Sequence, residues 1–417
     1  MSMRLNDEAM RQFRVGGLFK DSEDLKLSLD FSFDGKRLLV CDHSVLSIIN
    51  TTCQVVLSQV NMHRYRPGVA CFTHRDSRIL HSTSKNNFSI RCLDLKTHGC
   101  ICRFRGHKKN IRSLATQPEH ANMFLSSGED DQVYVWDLRS SKHTFHFTKL
   151  HRPLCAFSPT GSLLATTDSN QLFIYDVRKL GKIPCSTYCY SAKDKAAWTQ
   201  LQFSPDGKTL LISTDNSWCF SVSAFDGSFQ QSFAGYSNEQ RLPLEATYSP
   251  DSQFILSGAD AGRIHVWRAA DGKPVAVLEG NNVGPVKCLR FNPRATMFVS
   301  SDVLVAFWMP MANGTYDWVE PLESSPPNVS KGEKKDEPED GGKHELAAGG
   351  QDPPKDDHPV PKAIALPAPL IDWEKLRRKY SSSNWRDAKR VCSEESLAVV
   401  VEKKAGPELE EGEIREV

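Results

Sequence analysis

The chain has no run of about 20 apolar residues, the length a helix needs to cross a bilayer. Its opening stretch, MSMRLNDEAMRQFRV, lacks the apolar core of a secretory signal. Charge of one sign is missing as well. Lys and Arg number 52 against 51 Asp and Glu, a net of +1, so no strong field argues for nucleic acid or an anionic membrane. The balance hides an asymmetry, with a basic excess before residue 320 and an acidic excess after it. Cys-x-x-Cys is absent. Among 12 cysteines, Cys100-x-Cys102 and Cys185-x-x-x-Cys189 have no His or Cys partners at zinc-site spacing. No metal or cofactor is therefore expected, and the thiols read as reduced, mostly core residues of an intracellular protein.

What the chain does have, over 417 residues that are 39% hydrophobic and 25% charged, is repetition. Residues 106–137 read GHKKNIRSLATQPEHANMFLSSGEDDQVYVWD, opening on Gly106-His107 and closing on Trp136-Asp137. That is the unit of a β-propeller blade, a four-stranded sheet that must stack on neighbours to bury both faces. A second signal, an aromatic or polar residue followed by a polar one and often Pro, recurs at Phe31, Phe72, Thr116, Phe157, Phe203, Tyr248 and Phe291. The intervals are about 41 to 46 residues, close to the period of a propeller blade. Tight turns follow at Asp34-Gly35, Thr160-Gly161 and Asp206-Gly207, each ahead of a short apolar strand. The expected fold is all-β: a seven-bladed propeller over 1–311, with residues about 12–19 closing the last blade as its outer strand.

Within the best-preserved repeat, His107, Ser126, Asp130 and Trp136 are the residue types of a buried polar network. The indole N–H needs a hydroxyl, and the imidazole needs a carboxylate. The same His, Asp and Ser also match a hydrolase triad. Blade spacing, and the lack of a nucleophile elbow, favour the structural role and a chain that is not an enzyme.

Past the repeats the composition changes. Residues 312–369, rich in Pro, Gly, Lys and acids, read as a disordered linker. In the tail at 370–417, Asp372 begins a possible short amphipathic helix at 372–380, with Trp373, Leu376 and Tyr380 on one face. Such a segment is a candidate docking peptide, and Arg377-Arg378-Lys379 is a weak basic signal for nuclear import.

The repeats resemble the WD-repeat-containing protein 82 family, the small WD-repeat subunit of COMPASS-type histone methyltransferase complexes. Residues carrying the resemblance include FRV (13–15), VWDLRS (135–140), IYDVR (174–178), LQFSPDGKTLLIST (201–214), GRIHVW (262–267) and AFWMP (306–310). It covers roughly residues 8–310, and the tail has no counterpart in the compact members. The resemblance implies a non-catalytic nuclear adaptor, a monomer within a multi-subunit complex. It also implies the partners: the catalytic subunit of a histone methyltransferase, RNA polymerase II with a phosphorylated C-terminal repeat, and subunits of a phosphatase complex linked to termination.

Candidate partner-binding residues lie in loops expected at one mouth of the ring: Arg64, Arg66, Lys108, Lys109, Asn110, Arg112, Arg152 and Trp198, with Lys195 beside the last. Cations gathered there suit phosphate groups on a partner; the alternative is a solvated basic rim. A different function, substrate receptor of a cullin-type ubiquitin ligase, would use Trp-Asp-x-Arg boxes at Trp136, Asp137 and Arg139 and at Tyr175, Asp176 and Arg178.

Overall fold

The computed structural model describes residues 5–316 apart from 21, 75–76, 86, 119–121, 182, 191–195, 261, 281–283 and 313–314. Lys195, nearly all of the expected linker, and the tail with its helix at 372–380 lie outside the described residues. A helix α1 (Asp7–Gln12) leads into β1 (Phe13–Phe19). Blade 1 holds β2 (Ser28–Phe31), β3 (Arg37–Cys41), β4 (Val45–Asn50) and β5 (Val56–Asn61), and blade 2 holds β6 (Ala70–Phe72), β7 (Arg78–Ser82), β8 (Ile90–Asp94) and β9 (Cys100–Phe104). Blade 3 follows with β10 (Ile111–Thr116), β11 (Met123–Gly128), β12 (Gln132–Asp137) and β13 (His143–Thr148). Blade 4 has β14 (Cys155–Phe157), β15 (Leu163–Asp168), β16 (Gln171–Asp176) and β17 (Ser186–Cys189). Blade 5 has β18 (Trp198–Phe203), β19 (Thr209–Thr214), β20 (Trp218–Ser223) and β21 (Phe229–Ala234). Blade 6 has β22 (Ala246–Tyr248), β23 (Phe254–Gly258), β24 (Arg263–Arg268) and β25 (Pro274–Glu279), and blade 7 has β26 (Cys288–Phe291), β27 (Phe298–Ser301) and β28 (Val305–Ala312).

Each blade is an antiparallel meander, so its four strands lie in sequence order from the hub outward. The seventh takes its outer strand from the other end of the chain: β1 pairs β28, with Phe13 opposite Pro310 and Phe19 opposite Val305. Met10 and Phe13 are fully buried in the core between blades 6 and 7. Asn6 caps α1 by accepting the Ala9 amide at 2.7 Å. Arg11 Nε donates to Val275 O at 3.1 Å, and Asp7 pairs with Arg268, which fastens the same segment to blade 6. The pairing of β1 with β28 completes the last blade with its fourth strand and closes the ring.

Seven apolar clusters fill the ring, one between each pair of neighbouring blades. The recurring aromatic residue supplies them: Phe31, Phe72, Phe157, Phe203, Tyr248 and Phe291 are all buried. Burying one such side chain contributes about 1.5–3 kcal/mol. The next residue makes the turn. Ser32, Ser204 and Ser249 each donate to the Asp two positions on at 2.6 Å and accept the amide five positions on. The residue after that Asp is left-handed, with φ of 71° at Gly35 and 72° at Gly207. Glycine meets that demand at no steric cost, whereas blade 6 uses Ser252 at φ 61°.

Antiparallel order also sets two faces. Connections between blades share one face with the hairpin turns between second and third strands; the remaining turns occupy the other. Around the hub, inner strands are tied side chain to backbone. Asp30 accepts the Phe72 amide at 2.8 Å, Gln200 the Ala246 amide at 2.9 Å, and Glu245 the Leu289 amide at 3.2 Å while pairing with Arg290 at 2.9 Å. Burial lifts Asp30 to about 6 against the pull of the Phe72 amide and of Arg290.

Candidate partner-binding face

In blade 3 the expected network forms atom by atom. Trp136 Nε1 donates to Ser126 Oγ at 2.8 Å, Ser126 Oγ meets His107 Nε2 at 2.8 Å, and His107 Nδ1 meets Asp130 Oδ1 at 2.9 Å. Asp130 also accepts the Lys108 amide at 2.8 Å. Burial alone would raise its carboxyl, but the bonds from His107 and Lys108 hold it below the usual range. Gly106 and Gly128 exist for this packing. A Cβ on Gly128 would lie 2.6 Å from the His107 ring, and one on Gly106 would lie 3.0 Å from the indole. Ser126 is fully buried, and its oxygen is engaged by both His107 and Trp136, so a substrate carbonyl has no approach to it.

The basic candidates all fall on the face that carries the connections between blades. Arg112, at the start of β10, reaches over blade 4 toward blade 5: its guanidinium donates to Arg152 O at 3.3 Å and Trp198 O at 3.5 Å. Its acceptors are neutral carbonyls, and burial together with the charge of Arg152 pushes its pKa down. Arg152 sits in a left-handed turn, φ 51°, held by its amide to Asp131 Oδ1 at 3.2 Å. Lys108 and Lys109 are exposed on the connection into blade 3, and Asn110 Nδ2 donates to Glu129 at 3.3 Å. Arg64 and Arg66 lie on the connection from blade 1 to blade 2. Trp198 requires a correction. Its indole is only 7% exposed and packs on Tyr190 and Phe220 in the core between blades 4 and 5, so it offers the rim a carbonyl and no ring.

The Trp-Asp-x-Arg positions occupy the opposite face, at the turns between third and fourth strands. Arg139 folds back on Asp137 at 2.7 Å and Arg178 on Asp176 at 2.9 Å, while both guanidinium groups stay exposed. The hydrogen bond from Arg139 depresses Asp137, and that from Arg178 depresses Asp176. Trp136 and Tyr175 are buried in the blade cores.

Sequence reasoning missed a device repeated around the ring. In blades 3 to 7, a carboxylate at the turn between second and third strands accepts an amide from the incoming connection. The pairs are Asp130 with Lys108, Asp168 with His151 at 2.7 Å, Asp215 with Ala197 at 2.8 Å, Asp260 with Glu239 at 3.3 Å and Asp302 with Gly284 at 3.0 Å. The aspartates recur at blade spacing, and that is the signal that would have found them. Blade 1 puts Asp42 at the equivalent turn but pairs it with Lys26 Nζ at 2.9 Å, both side chains fully buried.

Comparison with known proteins follows this architecture. The model of the WD domain, G-beta repeat family matches residues 98–137 and 242–268. "WD repeat-containing protein 82" of Drosophila melanogaster is 37% identical over 312 residues, 74% of this chain and 98% of the relative. "COMPASS component SWD2" of Saccharomyces cerevisiae is 27% identical over 299 residues, covering 68% of this chain and 90% of that protein. "Set1 complex component swd2" of Schizosaccharomyces pombe is 23% identical over 331 residues, 67% of this chain and 91% of that protein.

Proposed function

The chain belongs to the WD-repeat-containing protein 82 family, and from that premise we propose that it is a non-catalytic scaffold subunit of a nuclear chromatin complex. The observation that carries this reading is the extent of the likeness: it takes in 98% of the Drosophila relative. Two further relatives are named as components of COMPASS and Set1 complexes. A sealed Ser126–His107–Asp130 set supports a structural role for those residues and a binding role for the protein. A ring of seven blades presents several loop clusters on one rigid frame, which suits simultaneous protein contacts.

The finer roles follow the family. The ring binds the catalytic subunit of a histone lysine methyltransferase, links it to RNA polymerase II with a phosphorylated C-terminal repeat, and takes part in a phosphatase complex. Lys108, Lys109, Arg112 and Arg152, with Arg64 and Arg66 on the neighbouring connection, form the basic rim that receives the phosphorylated repeat. Arginine and lysine make charge-assisted hydrogen bonds to phosphate, and Arg112 is already oriented by two carbonyls.

Affinity purification of the full chain from nuclear extract, read by mass spectrometry, tests the assignment. Recovery of methyltransferase subunits is expected, and their absence would remove the scaffold reading. Separately, Lys108→Glu with Lys109→Glu, or Arg152→Glu, should weaken binding of a phosphorylated polymerase-repeat peptide. Unchanged affinity would detach the rim from the proposal while leaving complex membership standing.

A further inference from the structure

The cleft between blades 1 and 2 gathers cations that no carboxylate among the described residues pairs. Arg91 on β8 and Arg103 on β9 are direct cross-strand partners, and Arg105, two residues on, continues the row. Side chains alternate across a sheet, so these arginines share the side of Leu93 and of His81, the partner of Arg91 on β7. That side packs against blade 1. Arg91 is 9% exposed, with its guanidinium 3.8 Å from the centre of the Tyr65 ring, and Tyr65 belongs to the connection between the two blades. Its Nε is buried and has no hydrogen-bond partner. Among the described residues, no carboxylate pairs with Arg91, Arg103 or Arg105. Burial, then the charges of Arg91 and Arg105, push the pKa of Arg103 down.

A buried N–H without an acceptor, inside a set of like charges, is an arrangement that a bound anion relieves. Stacking on Tyr65 fixes the plane of Arg91, which orients the guanidinium fork toward an oxyanion in advance. β9 is the outermost strand of its sheet. An extended peptide added to that free edge would place every second side chain beside Arg103, in cross-strand register. We propose that this cleft binds an oxyanion side chain, carboxylate or phosphoryl, presented by an extended segment of a protein partner. The site adjoins the Arg64 and Arg66 end of the proposed rim but uses neither Arg112 nor Arg152, and it does not depend on membership of a chromatin complex.

Fluorescence anisotropy on the full chain tests it with three labelled probes: a peptide alternating glycine and phosphoserine, its glutamate counterpart, and a 12-nucleotide oligouridylate. Arg103→Glu with Arg105→Glu, both exposed, should weaken peptide binding by about tenfold or more. Lys208→Glu with Lys273→Glu makes the same charge change on the opposite face and should alter it by less than about twofold. Whichever peptide binds more tightly identifies the source of the oxyanion. Arg91→Met should lose peptide binding while melting no lower than wild type, because it removes a buried unpaired donor. Equal losses in the two double variants, no loss in the first, or oligouridylate outcompeting both peptides would overturn the proposal.

Discussion

Blades 1 and 3 both place an aspartate in the hairpin turn between second and third strands, and they give it different partners. In blade 3, Trp136 needs an acceptor for its indole N–H, so Ser126, His107 and Asp130 follow as a relay of hydrogen bonds. In blade 1, the registers put Val40 and Ile49 where blade 3 has Ser126 and Trp136. An apolar side chain asks for no acceptor, and no relay is needed. Asp42 is instead neutralised by Lys26, with Ser22 donating to the same carboxylate. Blades 1 and 3 keep the turn aspartate and exchange the donor that faces it; in blade 2, where residues 83–89 hold no carboxylate, Ser82 Oγ accepts the Gly68 and Val69 amides instead.

The contrast can be broken most severely at Lys26. Lys26→Met leaves Asp42 buried without its cation and should lower stability by about 3–5 kcal/mol, measured by chemical denaturation. Asp130→Ala should cost less, about 2 kcal/mol, since His107 and the Lys108 amide lose one acceptor but neither is a permanent charge. If the two losses came out equal, the distinction between a staple built on lysine and one built on histidine would collapse.

Acid sharpens the same comparison. Hydrogen bonds hold both Asp42 and Asp130 below the ordinary carboxylate range, although burial opposes them. A depressed folded pKa contributes stability that is complete above the unfolded value, near 3.9, and is lost as pH falls through the folded value. Thermal melts below about pH 4 should therefore fall less steeply for Asp130→Asn than for wild type. The smallest effect concerns the turn that follows the inner strand. Ser252→Gly gives blade 6 the left-handed glycine that blade 1 has at Gly35, and should raise stability by no more than about 1 kcal/mol.

Much of the fold was legible because each blade repeats a local instruction. The buried aromatic residue, the serine that organises the turn and the left-handed position after it are all set within a few residues of one another, so a period in the sequence is a period in the structure. The blade 3 network was legible for a related reason: its members lie within one repeat, and their donors and acceptors can be matched by chemistry alone. Trp198 was misread because exposure is not a local property. It begins an inner strand, yet its ring fills the space beside Phe220 that only the stacking of blades 4 and 5 creates.

The sequence by itself determined seven repeats, their strands and the turn chemistry, since hydrogen bonds between near neighbours and alternation along a strand depend on local order. Only the tertiary structure decided which groups meet across blades. Ring closure sets Arg112 over the carbonyls of Arg152 and Trp198, buries Lys26 against Asp42, and stacks Arg91 on Tyr65 with its Nε unpaired. Burial, which gives each of those contacts its energetic weight, exists only once neighbouring blades have packed.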